Sequence, residues 1–378
     1  MKSLKVVVGL SGGVDSAVSA ALLTRLHASR HEPGVEIVGA FIKTWHPEWM
    51  EDKCSWRAER RDAMRVAAHL DIPFITVDLE KEYKRGVADY MIAEYTAGRT
   101  PNPDVMCNKE IKFGAFLKHA LKLEADMIAT GHYAQSIPPR TSSRSSLNVR
   151  EGRGGIRLLR GADPAKDQSY FLWTLNQEQL SKTIFPVGHL LKSQVRQLAK
   201  EFGLPVAEKR DSQGICFLGN VDMKDFLSHY IKTKLGDVLD EKGKVIGKHD
   251  GAVFYTIGQV WKKPWSAVSK DIDRNTITVA KKYPTPDFVS TLPYSKGGHG
   301  RDTIDLRDVN WISGLVPSAR TLAAQTRYHG EKYPIILTVP NSVSNSCEVE
   351  FTQPTLVAPG QSVVVYDGDI CLGGGIVA

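Results

Sequence analysis

The sequence predicts an α/β fold with a doubly wound parallel sheet, followed by a strand-rich antiparallel region. In the first part of the chain, short apolar runs alternate with helical stretches of about 10–15 residues, the pattern of parallel strands joined by right-handed crossovers. From about residue 235 the pattern changes to short strand-like runs between Gly, Asp and Pro turns. This second pattern favours a small antiparallel barrel or sandwich. The length of 378 residues suggests two or three domains.

The first region opens with the apolar run 5–10, which is typical of a strand buried on both faces. The next predicted elements are a helix at 17–27, a strand at 35–42, a helix at about 56–70, and strands at 72–77 and 126–132. Residues 135–155 are basic and of low complexity, so we interpret them as a surface loop. Helical periodicity returns at 191–202 and stops at Gly203-Leu204-Pro205.

The later region contains strand-like runs but no internal repeat. These runs are residues 251–257, 276–280, 335–339, 347–351 and 362–366. The composition, 42% hydrophobic and 24% charged, excludes a chain that is mostly disordered. No stretch approaches the roughly 18 apolar residues of a spanning helix. The N-terminus matches neither a signal nor a transit peptide, and the five cysteines form no C-x-x-C pair. We therefore expect a cytoplasmic protein without structural zinc.

The excess of basic residues lies in the middle of the chain. Overall the net charge is +7. It is zero over residues 1–134, +5 over 135–161, +5 over 162–283 and −3 over 284–378. A polyanionic partner is therefore expected to bind the middle of the chain.

The motif Gly9-Leu-Ser-Gly-Gly-Val-Asp-Ser16 stands between a buried strand and a helix. Two glycines allow a tight turn whose N–H groups point into one concavity, and the helix N-terminus adds a positive dipole end. This predicts a phosphate or pyrophosphate site. The motif lacks the Lys of a Walker A sequence. The alternative is a plain strand-to-helix turn with Ser and Asp capping.

A second cluster, residues 98–108, places Asp104 three residues before Cys107 in a segment with two prolines. A proton-transfer carboxylate beside a nucleophile is one interpretation. An Asn-Pro-Asp turn with a buried cysteine is the other. Because a carboxylate raises the pKa of a nearby thiol, activation would need a cation such as Lys109 or Lys112.

A third cluster, residues 209–218, places two cations close in sequence to Cys216. That setting favours the reactive thiolate. A buried structural cysteine is equally compatible with this segment taken alone.

Taken together, the motifs resemble those of the tRNA-specific 2-thiouridylases, members of the PP-loop ATP pyrophosphatase superfamily. Seven matches occur in order along nearly the whole chain: residues 9–16, 98–113, 129–133, 166–172, 211–218, 254–259, and 359–361 with 371–375. The resemblance implies a PP-loop domain of the adenine nucleotide α-hydrolase-like class (1–210, with the basic loop 135–155), a small central domain (211–283) and a C-terminal β-barrel that binds tRNA (284–378).

The resemblance also implies the reaction and its residues: ATP-dependent 2-thiolation of the wobble uridine (U34) of tRNA, by adenylation of the C2 oxygen and sulfur transfer from a persulfide, with release of AMP and pyrophosphate. ATP would be bound by Gly9, Leu10, Ser11, Gly12, Gly13, Val14, Asp15, Ser16, Ile42 and Gly131, and Mg²⁺ by Asp15 through the phosphates. Asn102, Pro103 and Asp104 would contact the target base, with Asp104 as general acid and base. Cys216 would carry the persulfide, and Cys107 would be the second catalytic cysteine. Cys54, Cys347 and Cys371 have no such role and are interpreted as structural.

The implied partners are the anticodon stem-loop of tRNA and a persulfide sulfur-relay donor protein, with no membrane and a free monomer. The residues implied to contact tRNA are His132, Lys166, Asp167, Gln168, Arg327, Tyr328 and Gln361. One departure concerns the segment after Gln259, where a basic, Gly-rich loop of some ten residues is missing. Two rivals remain open at this stage: a PP-loop ligase or amidotransferase acting on a small molecule, and a non-enzymatic RNA-binding protein.

The charge pattern gives a first testable prediction. Deletion of residues 138–153, which carry a net charge of +3, should weaken tRNA binding and reduce the steepness of its salt dependence. Counterion release predicts a change in slope of up to about 3, since each phosphate contact contributes roughly 0.9. The measurement is tRNA affinity at several salt concentrations. Unchanged affinity and slope would mean that the charges of this segment are only solvated.

Overall fold

The computed structural model describes residues 3–29, 34–53, 56–138, 155–211, 222–281, 302–317, 322–339, 345–353, 355 and 357–378. Cys54 and Cys216, and the basic residues 139–154, lie outside the described residues. Among the residues described, no helix has both the length and the apolar character needed to cross a membrane.

The N-terminal region is built on a parallel sheet with strand order β3-β2-β1-β4-β7. All four pairings in it are parallel. The strands are β1 (Leu4–Gly9), β2 (Val35–Lys43), β3 (Phe74–Asp78), β4 (Met127–Ala129) and β7 (Thr183–Ile184). Val6 and Val8 pack into one hydrophobic cluster while Val7 packs into another, so β1 is buried on both faces. The predicted doubly wound sheet is confirmed.

Helices cover both faces of this sheet and continue into the next region. They are α1 (Val14–Ser29), α2 (Trp56–His69), α3 (Glu80–Tyr83), α4 (Asp89–Thr96), α5 (Pro103–Met106), α6 (Leu117–Lys122), α7 (Gln177–Ser181), α8 (Lys192–Glu201) and α9 (Met223–Ser228). Helix α2 lies where a helix was predicted at about 56–70, and its buried residues Ala63, Val66 and Ala67 lie on one face. Two π-helical stretches, Lys84–Ala88 and Cys107–Phe116, join α3 to α4 and α5 to α6.

The central region holds a small sheet with strand order β10-β11-β12-β8-β9. Its strands are β8 (Gly236–Leu239), β9 (Val245–His249), β10 (Val260–Lys262), β11 (Trp265–Asp271) and β12 (Thr276–Ala280). The pairing of β8 with β12 is parallel and the others are antiparallel. The shortened segment noted after Gln259 forms the compact hairpin between β10 and β11, in which Lys262 pairs with Trp265.

The C-terminal region is a closed antiparallel barrel, as predicted. Its strands are β13 (Asp302–Trp311), β14 (Leu322–Gln325), β15 (Lys332–Thr338), β16 (Cys347–Phe351), β17 (Ser362–Asp367) and β18 (Ile370–Val377). The pairing of β13 with β18 closes the ring. Its interior is a separate apolar cluster that includes Val349, Phe351 and Val363.

Two sequence interpretations need correction. Residues 135–137, assigned to the basic loop, belong to β5 (Ala134–Ile137), which pairs with β6 (Arg157–Arg160). Strand β6 in turn pairs with β18, so both strands extend the C-terminal sheet from within the N-terminal region. The run 251–257 is not a strand, because residues Ala252–Phe254 form a 3₁₀ turn after Gly251. A short apolar run without alternating polar residues does not distinguish a strand from a 3₁₀ turn.

A buried carboxylate joins the N-terminal region to the barrel. Glu94, on α4 and 6% exposed, accepts hydrogen bonds from Arg99 Nε at 2.8 Å and from Arg307 on β13 at 2.7 Å. Burial alone raises the pKa of Glu94, but the hydrogen bonds and charges of the two arginines outweigh it and hold the pKa below its ordinary value of 4.5. The ionised form is therefore the one that the fold stabilises.

We expect Glu94→Gln to lower stability by about 2 kcal/mol at pH 7, since it removes the anion that the partly buried Arg99 and Arg307 share, although Arg307 keeps its ion pair with Asp308. A depressed carboxyl pKa contributes stability above the unfolded pKa and loses it as pH falls through the folded pKa. The Tm difference between wild type and variant should therefore narrow from pH 7 to pH 3.5. Glu36→Gln, which removes an exposed partner of Lys5, is the control. Equal Tm values of Glu94→Gln and wild type at pH 7 would contradict this assignment.

Candidate active site

The phosphate loop, residues 9–16, connects β1 to α1 at the carboxyl edge of the parallel sheet, where ligands of such sheets bind. Gly12 has a φ of +76°, and a Cβ there would lie 2.4 Å from the carbonyl oxygen of Glu59 on α2. Only glycine fits both the conformation and the contact. The loop is thus pressed against α2, and its shape is fixed by backbone packing.

Two serines hold the loop in register with the helix. Ser16 Oγ donates to the Gly13 carbonyl at 3.0 Å and accepts from the Ser11 amide at 3.2 Å. Ser11 Oγ lies 3.2 Å from Ser16 Oγ and accepts from the Gly13 amide at 3.3 Å. These bonds close the turn. The first backbone N–H groups of α1 have no acceptor within the helix and lie at its N-terminus, where they can donate to an anion.

Asp15 in this loop pairs with a lysine from a distant helix. Lys192 Nζ, at the start of α8, donates to Asp15 Oδ1 at 2.7 Å and Oδ2 at 2.9 Å. The Tyr133 hydroxyl donates to the same carboxylate at 2.7 Å. Burial, and then the Asp15 charge and hydrogen bond, raise the pKa of Tyr133 well above its ordinary value. Tyr133 therefore remains a neutral donor at the site.

Lys192 also links the phosphate loop to Asp211. Three cations contact this carboxylate: Lys192 at 2.8 Å, Arg196 at 2.6 Å and Lys166 at 2.8 Å. Burial raises the pKa of Asp211, but the hydrogen bonds and charges of the two lysines outweigh it and hold that pKa far below its ordinary value. The result is a charge-paired cluster of five side chains beside α1, in which ammonium and guanidinium groups stand next to an anion site.

The second part of the site is the 98–108 segment. Asn102 caps α5, since its Oδ1 accepts from the Val105 amide at 3.2 Å. Cys107 is fully buried at 0% exposure and begins the π-helical stretch. Asn108 donates to the Asp104 carbonyl at 3.0 Å. Its Oδ1 is buried and has no hydrogen-bond partner among the described residues.

A cavity of about 480 Å³ opens where the three regions meet. We call it the junction cavity. The N-terminal region, the central region and the barrel all contribute to its lining, which comprises Asn102, Asp104, Tyr170, Phe171, Thr256, Ile257, Gly258, Gln259, Arg327, Tyr328 and Gln361. The rings of Phe171 and Tyr328 lie 4.5 Å apart between centroids. Carboxylate, amide and guanidinium groups therefore face the same space as two aromatic rings, which suits a planar polar ligand.

The family models that match this chain divide it into the same three regions. Residues 4–220 match the family model described as the tRNA methyl transferase HUP domain, 224–281 the PRC-barrel domain, and 301–377 the aminomethyltransferase beta-barrel domain. The chain is 42% identical to the tRNA-specific 2-thiouridylase MnmA of Nitrosomonas eutropha, over 100% of this chain and 99% of that protein. It is 44% identical to the tRNA-specific 2-thiouridylase MnmA of Bacillus velezensis, over 99% and 94%.

The chain belongs to the tRNA-specific 2-thiouridylase family. It is thus an enzyme of the sulfurtransferase class. Among solved structures, the U34-tRNA thiolase NcsA of Methanococcus maripaludis is 18% identical with a TM-score of 0.35, covering 60% of this chain and 63% of that one. That likeness is too low to carry an argument.

Within this family member, the residues predicted to bind ATP meet at the sheet edge. Ile42 lies near the end of β2 and is buried. Gly131 follows β4, and a Cβ on it would lie 2.7 Å from the Ser16 amide nitrogen. Both therefore sit on the same edge as the phosphate loop. The binding role of each stays a prediction.

The residues predicted to contact tRNA occupy two different environments. Arg327, Tyr328 and Gln361 line the junction cavity, and Lys166 is partly exposed. By contrast, Asp167 is buried and pairs with Arg160 at 2.6 Å, and Gln168 Oε1 accepts from the Tyr133 amide at 3.0 Å. His132 is also buried, where burial and the nearby Lys112 charge lower its pKa well below the ordinary value. In this structure these last three hold protein groups, and their contact with tRNA stays a prediction.

The cysteines divide in the same way. Cys347 lies in the barrel interior, whereas Cys371 on β18 packs against the N-terminal region and donates to the Ser169 carbonyl at 3.9 Å. Burial raises the pKa of each thiol to about 12, which favours the neutral thiol. Cys107 contacts the apolar core, and Cys216 lies outside the described residues.

Lys192 and Arg196 were missed by sequence reasoning. A signal existed: they are four residues apart on the first turns of an amphipathic helix, so both project to one side of it. The sequence does not show which part of the protein this face of α8 contacts, because that depends on how α8 packs against α1.

We expect Lys192→Met to weaken binding of inorganic pyrophosphate or ATP roughly 10- to 100-fold, because it removes a charge-assisted donor and leaves Asp15 and Asp211 to repel the anion. The measurement is isothermal titration calorimetry. Lys200→Met is the matched control on the same helix, since Lys200 is exposed and pairs with Glu208 at the surface. Equal affinity of both variants and wild type would show that Lys192 serves the fold alone.

Proposed function

We propose that this chain catalyses ATP-dependent 2-thiolation of the wobble uridine U34 of tRNA. The observation that carries the proposal is the course of the 166–171 segment. Lys166 belongs to the charge cluster at the phosphate loop, while Tyr170 and Phe171 line the junction cavity. A site for a nucleotide phosphate and a cavity for a planar polar base are thereby connected by six residues.

The phosphate loop fits ATP. In the proposed reaction the uracil C2 oxygen attacks the α-phosphorus of ATP and pyrophosphate leaves. This activation is needed because the C2 oxygen is by itself a poor leaving group, whereas the adenylated oxygen can depart as AMP. The first amides of α1 and the ammonium of Lys192 would stabilise the charge on the departing pyrophosphate. Ser11 and Ser16 keep the loop in the conformation that presents those amides.

Asp15 fits a magnesium ion that is held mainly by phosphates and water. The described residues contain no group of three or more Asp, Glu, His or Cys side chains able to hold a metal by themselves. Mg²⁺ bound to nucleotide phosphates needs only one or two protein carboxylates. Asp15 would supply one of them, in exchange for part of its pairing with Lys192. The ion would neutralise phosphate charge during adenylation.

Sulfur would reach the activated base from a persulfide on Cys216. In one route its terminal sulfur attacks C2 and AMP leaves, after which the Cys107 thiolate attacks the Cys216 sulfur and releases 2-thiouridine. In the other, Cys107 attacks the persulfide first and hydrosulfide is the species that attacks C2. Both routes leave a disulfide between Cys107 and Cys216, so each turnover needs an external dithiol reductant. Asp104 would move the proton of the uracil ring.

Cys107 is buried in this structure, so the proposed step requires a local opening of the π-helical stretch that begins at this residue. Such stretches occur frequently at functional sites, which supports the opening. The target uridine must also leave its stack, at a cost of a few kcal/mol. The anticodon loop of tRNA offers bases that are already partly unstacked.

The proposed partners are the anticodon stem-loop of tRNA and a protein that donates persulfide sulfur, with the free chain a cytoplasmic monomer. Arg327 and Tyr328 at the junction cavity would contact the anionic tRNA. The net charge of +5 over residues 135–161 supports a further contribution from this basic part of the sequence.

The test is reconstitution with U34 tRNA transcript, ATP, Mg²⁺, a persulfide donor and a dithiol. We expect 2-thiouridine by mass spectrometry of the nucleosides, with AMP and pyrophosphate formed in equal amounts. Cys107→Ser and Cys216→Ser should abolish thiolation and keep ATP affinity, while Cys347→Ala, in the barrel interior, should retain thiolation.

Three results would contradict the proposal. Full thiolation by either serine variant would remove the cysteine assignment. Release of ADP and phosphate would refute adenylation. Turnover of ATP with a small molecule and no need for tRNA would favour a PP-loop ligase instead. A transcript with cytidine at position 34 serves as the substrate control.

A further inference from the structure

The C-terminal barrel holds the 98–108 segment through hydrogen bonds to the backbone amide and carbonyl of Thr100. The Thr100 amide donates to the Pro359 carbonyl at 2.7 Å, and Gln361 Nε2 donates to the Thr100 carbonyl at 2.6 Å. Both backbone polar groups of this buried residue are thereby satisfied by one turn of the barrel, while its hydroxyl donates to Thr256 Oγ1 at 3.3 Å. Gly360, with a φ of +87°, makes the approach possible, since a Cβ there would lie 2.9 Å from the Thr100 nitrogen.

A tyrosine holds the same segment at a second point. Tyr170 is 1% exposed, and its hydroxyl shares its proton between the barrel carbonyls of Ser362 at 3.1 Å and Thr326 at 3.3 Å. Its ring packs in the same apolar cluster as Val105 of α5. At the start of that helix, Asn102 Oδ1 accepts from the Val105 amide. Asn102 therefore sits where the barrel and α5 together place it.

The turn that carries Gln361 is itself rigid. The Gly360 amide donates to the Val377 carbonyl at 2.9 Å, and the Val377 amide donates to the Gln361 carbonyl at 2.9 Å. Strand β18 therefore fixes the turn. Any displacement of the barrel would move Thr100 with it.

We propose that Gln361 and Tyr170 are positioning residues, which hold the 98–108 segment on the barrel so that Asn102 and Asp104 face the junction cavity in one geometry. Gln361 was expected to contact tRNA, but its amide donor is used on Thr100. The barrel would then contribute to turnover as well as to tRNA binding. This inference rests on the proposed function for its catalytic readout only.

Positioning and tRNA contact predict different kinetics. Loss of a positioning residue misplaces reacting groups by a fraction of an ångström and reduces the rate of the chemical step, while bound tRNA keeps its phosphate contacts. Loss of a tRNA contact raises the Kd or KM for tRNA and leaves kcat intact. The two roles are therefore separable by a kcat-against-KM comparison.

The variants are Tyr170→Phe, which removes one hydroxyl, and Gln361→Met, which removes the donor at similar volume. We expect each to lower kcat for 2-thiouridine formation 10-fold or more, with tRNA Kd within twofold of wild type. Gln361→Glu should lower kcat further, because a carboxylate would face the Thr100 carbonyl. Tyr366→Phe is the matched control: Tyr366 is another buried barrel tyrosine, whose hydroxyl lies 3.2 Å from Ser169 Oγ and touches no part of the 98–108 segment.

Amide hydrogen exchange of the free protein provides a readout that does not depend on the reaction. The Thr100 amide should be protected in wild type and in Tyr366→Phe, and should exchange at least 10-fold faster in Gln361→Met and Tyr170→Phe. Unchanged exchange in both variants would overturn the inference. So would a rise in tRNA Kd at constant kcat, or an equal loss of kcat in Tyr366→Phe. If wild type makes no 2-thiouridine, the proposed function fails, and the exchange result still decides whether the segment is held by these residues.

Discussion

The arrangement of the site depends on one constraint: two strands, β6 and β13, share one edge of strand β18. One edge of β18 pairs with β17 along its length. The other edge pairs first with β6, at Ile370 and Cys371, and then with β13, which closes the barrel. Because β6 belongs to the N-terminal region, the barrel and that region are joined by ladder hydrogen bonds. Moving one relative to the other would expose unpaired backbone groups, which is costly. The junction cavity therefore has a defined shape.

Charge pairing is the second organising interaction. Asp15 and Asp211 would repel each other and any phosphate if they stood alone. Lys192, bonded to both, converts that repulsion into a bridge between the phosphate loop and the end of the N-terminal region. Arg196 and Lys166 complete the neutralisation of Asp211. A bound phosphate would compete with the carboxylates for these cations, since lysine and arginine bond either kind of oxygen.

The sequence predicts the parts of this molecule that depend on local periodicity. The run at β1, the phosphate loop, helix α2 and the barrel strands β15, β16 and β17 lie where the sequence pattern places them, while β13, β14 and β18 were not predicted. Strands β5 and β6 were not recognised. Each is only four residues long, and β6 finds its partner in β18, some two hundred residues away. Lys192 was not recognised for the same physical reason, since its role is defined by a contact with Asp15, 177 positions earlier. Contacts of this kind depend on tertiary packing, which local pattern does not encode.

The burial of Cys107 has a consequence for the protein at rest. Peroxide and other oxidants attack thiols that are accessible, and the higher oxidation states of cysteine are irreversible in most proteins. A thiol with 0% exposure, enclosed by the apolar core, is shielded from that damage for as long as the packing around it stays closed. If Cys107 has the proposed role, the packing that must open for sulfur transfer would also preserve this thiol between turnovers. Core packing alone would then protect the Cys107 thiol from oxidation between turnovers.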